Sequence, residues 1–424
     1  MANDSTAVQN GLKGLASQAT RLRSNKGQKD CLEQLKCDPT IIVSVDELDT
    51  DPYLLNCENG TVDLRNGKLQ PHSQEDLISR IADAAYDPEA RSDIWDGFIK
   101  EITSGDADFA AEMQAAFGYS LTGVTTERAF FFIYGVTGTG KTSLEASVGR
   151  MLGSYAQNIG FDTLLRKPPT SGDAPLDDLA RLEGVRYAYA SEMNPGRMFD
   201  IQTVKTLTGG GDPITARSLH ARNRTFQPRL KLWLVANDRP EIPETDDAMW
   251  SRLHIFPFKR QFLKAEQDRS LWDKLNTPEV RSAMLAWAVQ GCLRWQEEGL
   301  HISRASKIAA TQYKQAMDPL NGFFLAECQF VSHYSIRTDK LFAAYKMWCE
   351  VTRRDLQFST SAVFGKRLAE SGAGRGVDVQ KRSVTGFANK LSVASGIDLT
   401  PEAKEQMEFF TSTNEGDTWT QPTQ

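Results

Sequence analysis

Cysteine and histidine are sparse in this chain of 424 residues, six of the one and five of the other, and their spacing excludes two classes of architecture. The cysteines stand at Cys31, Cys37, Cys57, Cys292, Cys328 and Cys349. No two form a C-x-x-C pair and no histidine lies at finger spacing from them, which argues against a zinc site and against a disulfide framework. Long apolar runs are missing as well. No stretch approaches the roughly 18 consecutive apolar residues of a membrane-spanning helix, and Met1-Ala-Asn-Asp-Ser-Thr6 lacks the basic-then-apolar order of a secretory signal. The expected location is therefore the cytoplasm of a host cell, with no membrane partner. Nor is there an excess of positive charge. A formal net charge of −6 leaves a nucleic-acid partner undecided, because positive potential is needed only where the contact is made.

With 40% hydrophobic and 25% charged residues, the chain reads as folded and long enough for two to four domains. A polar start carries a short helix from about Asn10 to Arg23. The β-branched run Thr40-Ile-Ile-Val-Ser-Val45 reads as a strand, and Asn66-Gly67 as a hairpin turn. Between Ser92 and Leu121, apolar positions recur at helical spacing and predict two packed amphipathic helices. From about Glu127 to Phe258, strand-like and helical stretches alternate, as in an α/β domain with a mostly parallel sheet whose chemistry sits at strand ends. The pattern turns helical beyond Phe262, Asp318-Pro319 marks a boundary, and a last small domain runs to about residue 400. The expected division is a segment over 1–40, a β/helical module over 41–125, the α/β core over 126–260, helices over 261–318, a small domain over 319–400 and a polar, mobile tail over 401–424.

The sharpest signal follows the apolar run Ala129 to Tyr134. Gly135-Val136-Thr137-Gly138-Thr139-Gly140-Lys141-Thr142 fits G-x-x-x-x-G-K-[ST] and leads through Ser143 into a helical stretch. In such a loop backbone N–H groups turn inward around phosphates, Lys141 neutralises β/γ oxygens and the Thr142 hydroxyl ligates Mg²⁺. The helix that follows points its N-terminus at the same charge. ATP with Mg²⁺ is the expected ligand, with residues 135–143 around it. The loop alone assigns no reaction, since kinases, switches and motors share it.

Three further residues select hydrolysis. Val185 to Ala190 reads as a strand ending in Ser191-Glu192, which puts a carboxylate where it polarises water and helps to hold Mg²⁺. Leu230 to Ala236 is another apolar run, and it ends in Asn237, an amide placed to orient water or sense a γ-phosphate. Arg252 stands just before the strand Leu253-His-Ile-Phe256, at the edge of the core, from which an arginine reaches a neighbour's ATP.

In this order the parts resemble the superfamily 3 helicases, specifically the C-terminal half of poxvirus, phage and plasmid primase-helicases. The resemblance starts at Asn59-Gly60-Thr-Val-Asp-Leu64 and Ala85-Tyr-Asp-Pro-Glu-Ala90, passes through Phe117-Gly-Tyr-Ser-Leu121 and the phosphate loop, and continues with Lys205-Thr-Leu-Thr-Gly209-Gly-Gly-Asp212, Asn237 and Asp246 to Phe258. Trp287 to Gly291 and Phe342 to Trp348 extend it to about residue 370. It implies a modified AAA+ P-loop ATPase core, an N-terminal collar and a winged-helix-like C-terminal domain, assembled as a hexamer with ATP between subunits. It further implies 3′-to-5′ translocation on single-stranded or forked DNA, beside a replication polymerase or primase. Two departures stand out: Ser191-Glu192 replaces a pair of acidic residues, and Gly209-Gly210-Gly211 carries one glycine more than the usual two.

Between the two core strands, Ile214 to Lys231 holds Arg217, Arg222, Arg224, Arg229 and Lys231 and no acidic residue. Such a local excess fits backbone-phosphate contacts that carry no sequence information. The family places its DNA-contacting hairpin here. By that carry-over Lys205 and Arg217 link the ATP site to the hairpin, and His220, Arg222 and Arg224 meet DNA. In the last domain Lys366 and Arg367 are candidates for phosphate contact. Asp49-Thr50-Asp51 superficially resembles the carboxylate pair of a primase, but no matching histidine motif accompanies it and it reads as a loop. Two other functions compete: a P-loop kinase of small substrates, and an ATP-dependent DNA-loading scaffold that does not unwind.

Overall fold

The computed structural model describes residues 2–38, 42–166, 177–191, 198–216, 224–240, 242, 247–384 and 390–414. Two helices, α1 (Ala2–Arg23) and α2 (Asn25–Leu35), come first; α1 starts well before the predicted Asn10. The predicted strand over 40–45 does not form at its described residues. Instead Ser44 and Glu47 make a reciprocal capping box, with Glu47 accepting from the Ser44 N–H at 2.8 Å, and Val45–Glu47 closes a 3-10 turn. A β-branched run stays extended only with a neighbour to pair with. Next come β1 (Leu54–Cys57), β2 (Gly60–Asp63) and β3 (Lys68–Gln70), an antiparallel meander. Its β2–β3 turn is the predicted Asn66-Gly67, with Gly67 at φ +69°. Two helices follow, α3 (Asp93–Ile102) and α4 (Ala107–Leu121), each started by a side-chain cap, Ser92 and Asp106.

The central sheet is built from β4 (Phe130–Tyr134), β5 (Ala156–Asn158), β6 (Tyr187–Ser191), β9 (Lys231–Ala236) and β10 (Leu253–Pro257), with α5 (Lys141–Leu152), α6 (Asp177–Ala180), α7 (Ile201–Thr208) and α8 (Asp247–Trp250) between them. A short hairpin, β7 (Ile214–Ala216) and β8 (Arg224–Phe226), interrupts the run. The strand order is β10-β4-β9-β6-β5, every pair parallel, which is the α/β core with a mostly parallel sheet that the sequence predicts. Strands covered on both faces read as unbroken apolar runs, and Phe130-Phe-Phe-Ile133 and Leu232-Trp-Leu-Val235 are buried throughout. Phe131, Ile133, Trp233 and Val235 face one core; Phe130, Phe132, Leu232 and Leu234 face the other.

Helices α9 (Leu271–Leu275), α10 (Pro278–Glu298) and α11 (Arg304–Met317) follow the sheet. The first core is shared: α4, from before the sheet, and α10, from after it, pack together on one face, with Phe117 stacked on Trp233 at 4.1 Å. The two helices cross glycine to glycine. A Cβ on Gly118 would stand 2.0 Å from the Cys292 nitrogen, and one on Gly291 would stand 1.9 Å from the Gln114 carbonyl oxygen. The module before residue 125 and the sheet therefore share one continuous core. Helix α11 covers the other face through Tyr313, whose hydroxyl donates to the Pro240 carbonyl.

The remainder has its own core. It comprises α12 (Asn321–Glu327), β11 (Cys328–Gln329), β12 (Ser335–Arg337), α13 (Thr338–Val351), α14 (Ser361–Gly372), β13 (Asp378–Arg382), β14 (Leu391–Ser395), β15 (Asp398–Leu399) and α15 (Pro401–Asn414). Helix, strand, two helices and two strands, with sheet order β12-β14-β13, give the winged-helix-like arrangement expected here. Beyond residue 400, where the sequence suggested only a polar tail, α15 packs Ala403 into this core. Among the described residues no helix is long and apolar enough to cross a membrane.

Candidate active site

The registers of three adjacent strands assemble the site. Tyr134 of β4 pairs with Ala236 of β9, and Val235 pairs with Ser191 of β6. The residues just past these ends, the phosphate loop and Asn237, therefore meet at the same edge of the sheet. Helix α5 begins at Lys141, behind Gly140 at φ +87°. Gly135 has no room for a side chain, because a Cβ there would come within 2.2 Å of the Phe258 carbonyl oxygen. A cavity of about 340 Å³ is lined by Thr137 to Ser143, Ser191, Val235 to Ala236, Asn237 and Asp238.

Lys141 is buried, and its ammonium donates to Gly135 O at 2.7 Å, Val136 O at 2.8 Å, Thr139 Oγ1 at 3.2 Å and Asn237 Oδ1 at 2.9 Å. Burial lowers its pKa from the ordinary lysine value. A desolvated ammonium held only by neutral oxygens is well suited to an anion, since phosphate oxygens offer it a stronger, charge-assisted bond. Two residues singled out 96 positions apart, Lys141 and Asn237, are thus in direct contact. Glu192 lies outside the described residues, although Ser191, the last residue of its strand, lines the cavity.

Arg252 is elsewhere. It precedes Leu253, which pairs with Phe130, so it sits at the opposite end of the sheet from the phosphate loop, a strand of roughly 16 Å away at 3.3 Å per residue. Its Nη1 donates to Ala248 O at 2.9 Å, and its Nε has no hydrogen-bond partner among the described residues. From there it cannot reach the loop of its own chain.

The basic run divides differently from its appearance in the sequence. Arg217, His220 and Arg222 lie outside the described residues. Arg224 opens β8 and pairs with Glu183 at 2.6 Å, and Lys205 lies on α7 with interactions of its own. Arg229 and Lys231 are not surface cations. Arg229 donates to the Asp49 carbonyl, while Lys231 is buried, donates to Thr122 O and to Thr122 Oγ1, and lies 4.5 Å from the Tyr119 ring. Arg186 beside it donates to Leu121 O and Leu54 O, each at 2.7 Å. The reason is the C-terminus of α4, whose last carbonyls have no helical donors and attract cations. Burial, with Arg186 nearby, holds Lys231 well below the lysine range.

Arg367 is likewise turned inward, to Asp318 at 3.6 Å and Glu370 at 3.4 Å, which leaves Lys366 exposed on α14. The Asp49–Asp51 stretch is structural: Asp49 accepts from Ser79 N–H at 2.9 Å, and Asp51 pairs with Arg65 at 2.8 Å. Sequence reasoning missed Gln261, whose side-chain amide donates to Thr137 O at 3.0 Å. No local pattern marks it, because it is the pairing of β10 with β4 that returns the chain to the loop.

A family model described as D5 N terminal like matches residues 6–104. Among curated proteins, a provisionally named helicase of Acanthamoeba polyphaga mimivirus is 26% identical over 333 residues, covering 73% of this chain and 33% of that protein. A provisionally named helicase of Frog virus 3 is 27% identical, covering 54% of this chain and 25% of that protein. A provisionally named primase of African swine fever virus is 26% identical, covering 55% and 25%. The chain thus spans a quarter to a third of the length of these relatives. The solved apo C-terminal region of NrS-1 covers 75% of this chain and 77% of its own, with a TM-score of 0.44 and 12% identity, too distant a superposition to carry a functional argument. Over residues 6–104 the chain is thus similar to the family described as D5 N terminal like, and over about half to three quarters of its length to proteins of large DNA viruses provisionally named helicases or primases.

Proposed function

We propose that this chain is the ATP-driven helicase part of a DNA-replication protein of the superfamily 3, AAA+ kind. It works as a hexameric ring that translocates 3′-to-5′ on single-stranded DNA and opens forked duplexes. One observation carries the reading: the phosphate-loop lysine touches the amide of Asn237 at adjoining strand ends, while Arg252 stands at the far end of the same sheet. A site completed by a neighbour's arginine suits an oligomeric motor. It does not suit a kinase, which gathers its cations within one chain.

In this reading residues 135–143 cradle the triphosphate of ATP, and the Lys141 ammonium exchanges carbonyl partners for β/γ oxygens. Asn237, released from the lysine, orients water. The Thr142 hydroxyl and the Glu192 carboxylate are the oxygen ligands available to Mg²⁺, which when bound offsets charge on the transferring phosphoryl group. Glu192 polarises the attacking water, and a neighbour's Arg252 stabilises the transition state. DNA is gripped through the β7–β8 hairpin, by Arg217, His220, Arg222 and Arg224, with Lys205 between hairpin and ATP site. The winged-helix-like domain and the polymerase or primase partners belong to the same replication role.

The test is steady-state ATP hydrolysis with and without single-stranded DNA, beside unwinding of forks tailed 3′ or 5′. DNA-stimulated turnover with unwinding of the 3′-tailed fork is expected, falling at least about 100-fold in Lys141→Ala. Turnover indifferent to DNA would instead favour a small-substrate enzyme, and ATP-dependent DNA binding without unwinding a loading scaffold.

A further inference from the structure

A phosphate loop has a second requirement besides its lysine. When its N–H groups turn inward, the carbonyls of the same peptides turn outward and need donors of their own. Gly135 O and Val136 O take the Lys141 ammonium. The next two are served from far along the chain: Gln261 Nε2 donates to Thr137 O at 3.0 Å, and the Phe262 N–H donates to Gly138 O at 2.8 Å. Gln267 Nε2 braces this contact, donating to Phe262 O at 2.9 Å and lying 3.4 Å from where a Cβ on Gly138 would stand. Arg260 ties the same stretch to α3. It pairs with Glu101, stands 3.7 Å from Glu266, and covers the Phe262 ring at 5.0 Å. Helix α3 in turn presses on the loop directly, since a Cβ on Gly140 would lie 2.9 Å from Ile102 and 3.3 Å from Phe98.

We propose that residues 259–267 form a strap that fixes the phosphate loop in its nucleotide-ready shape. Gln261 and Gln267 act as positioning residues, and the Arg260–Glu101 pair joins α3 to the same clamp. This rests on the reading of the loop as an ATP site. The division of labour among the carbonyls gives the strap its role. When Lys141 turns to phosphate, Gly135 O gives up its donor and Val136 O keeps only the Thr139 hydroxyl at 3.1 Å, whereas the two carbonyls at the crest of the loop keep the donors that the strap supplies. The crest is thereby ordered before nucleotide arrives, which removes part of the ordering cost of binding.

The experiment uses the full chain, a fluorescent ATP analogue for Kd, and ATP hydrolysis for KM and kcat, with Lys141→Ala as the control that removes the phosphate contact itself. Gln261→Leu keeps the stem and deletes the donor. It should raise Kd and KM about three- to tenfold, the scale of one hydrogen bond, with kcat nearly unchanged. Gln261→Lys, which restores a donor, should recover most of the loss. Arg260→Ala and Glu101→Ala should each raise KM by a similar factor, and the double variant should add little, because the pair acts as one unit. All should unfold at the wild-type temperature without nucleotide. Unchanged Kd and KM in Gln261→Leu and Arg260→Ala, with binding lost in Lys141→Ala, would overturn the strap and leave the ATP site standing. A fall in kcat at constant KM would also overturn it, by moving these residues into the chemistry. If the wild-type chain binds no nucleotide, both readings fall.

Discussion

Lys141 and Asn237 show what one residue's surroundings add to its identity. A lysine in a glycine-rich loop is legible as a phosphate ligand from its motif alone, and the strand-then-polar pattern pointed to Asn237. Their contact is a product of the β4–β9 register. Gln261 was illegible because its role depends on β10 lying beside β4, a pairing that no local pattern specifies. Arg229 and Lys231 were misread for a related reason: as sequence they are part of a basic run, but the α4 C-terminus makes Lys231 internal and the Asp49 carbonyl engages the half-buried Arg229. His254 gives a prediction at this scale. Buried on β10, 5.6 Å from Phe131, its imidazole is pushed down by burial to about 4. Because the folded value lies below the unfolded one of 6.5, the unfolded chain binds the proton first. Stability should therefore fall as pH drops from about 6.5 towards 4, by up to about 3 kcal/mol from this group. Chemical denaturation from pH 7 to 4 should show a shallower decline in His254→Phe; parallel curves would refute the assignment.

Among the elements, those made by local chemistry were read best. The Asn66-Gly67 hairpin, the helices between Ser92 and Leu121 and the apolar strands all formed where turn residues, caps and periodicity placed them. The run over 40–45 forms no strand at its described residues, 42–45, where the Ser44–Glu47 capping box outcompetes β propensity. The crossing of α4 and α10 was not visible at all, since Gly118 and Gly291 look like ordinary helix-weakening residues until the partner helix is known. Their cost in helix propensity is offset by a closer approach than any side chain permits. Gly118→Val should therefore destabilise by about 3 kcal/mol or more, through overpacking against backbone that cannot yield. Thermal unfolding is the check, with Gly97→Val as comparison, since nothing lies within 4 Å of a Cβ at Gly97. Equal shifts for the two variants would mean that the crossing is looser than described.

At the level of the whole molecule, the sequence conveyed an α/β core with smaller units before and after it, but not that the preceding unit shares the core of the sheet. Such sharing arises from a long-range chain of ring contacts, Trp95 on Trp287, Trp287 on Phe117 and Phe117 on Trp233, which periodicity does not encode. The position of Arg252 yields the prediction that belongs to the assembly. Arg252→Ala should still bind ATP yet hydrolyse it about 10³-fold more slowly or worse. Mixed with Glu192→Gln subunits, themselves inactive, it should regain part of the activity, because some interfaces then pair an intact Glu192 site with an intact neighbouring arginine. Failure of every mixing ratio to restore turnover would count against action across the interface.

The meeting of α4 and α10 has a topological corollary. One helix precedes the five-stranded sheet in the chain and the other follows it, so the stretch from β4 to β10 is fastened at both of its ends by one helix pair that packs on the sheet itself. A backbone cut anywhere within that stretch would yield two fragments, each still holding one half of the fastening. A nicked chain should therefore run as one particle on a sizing column and as two bands only after denaturation.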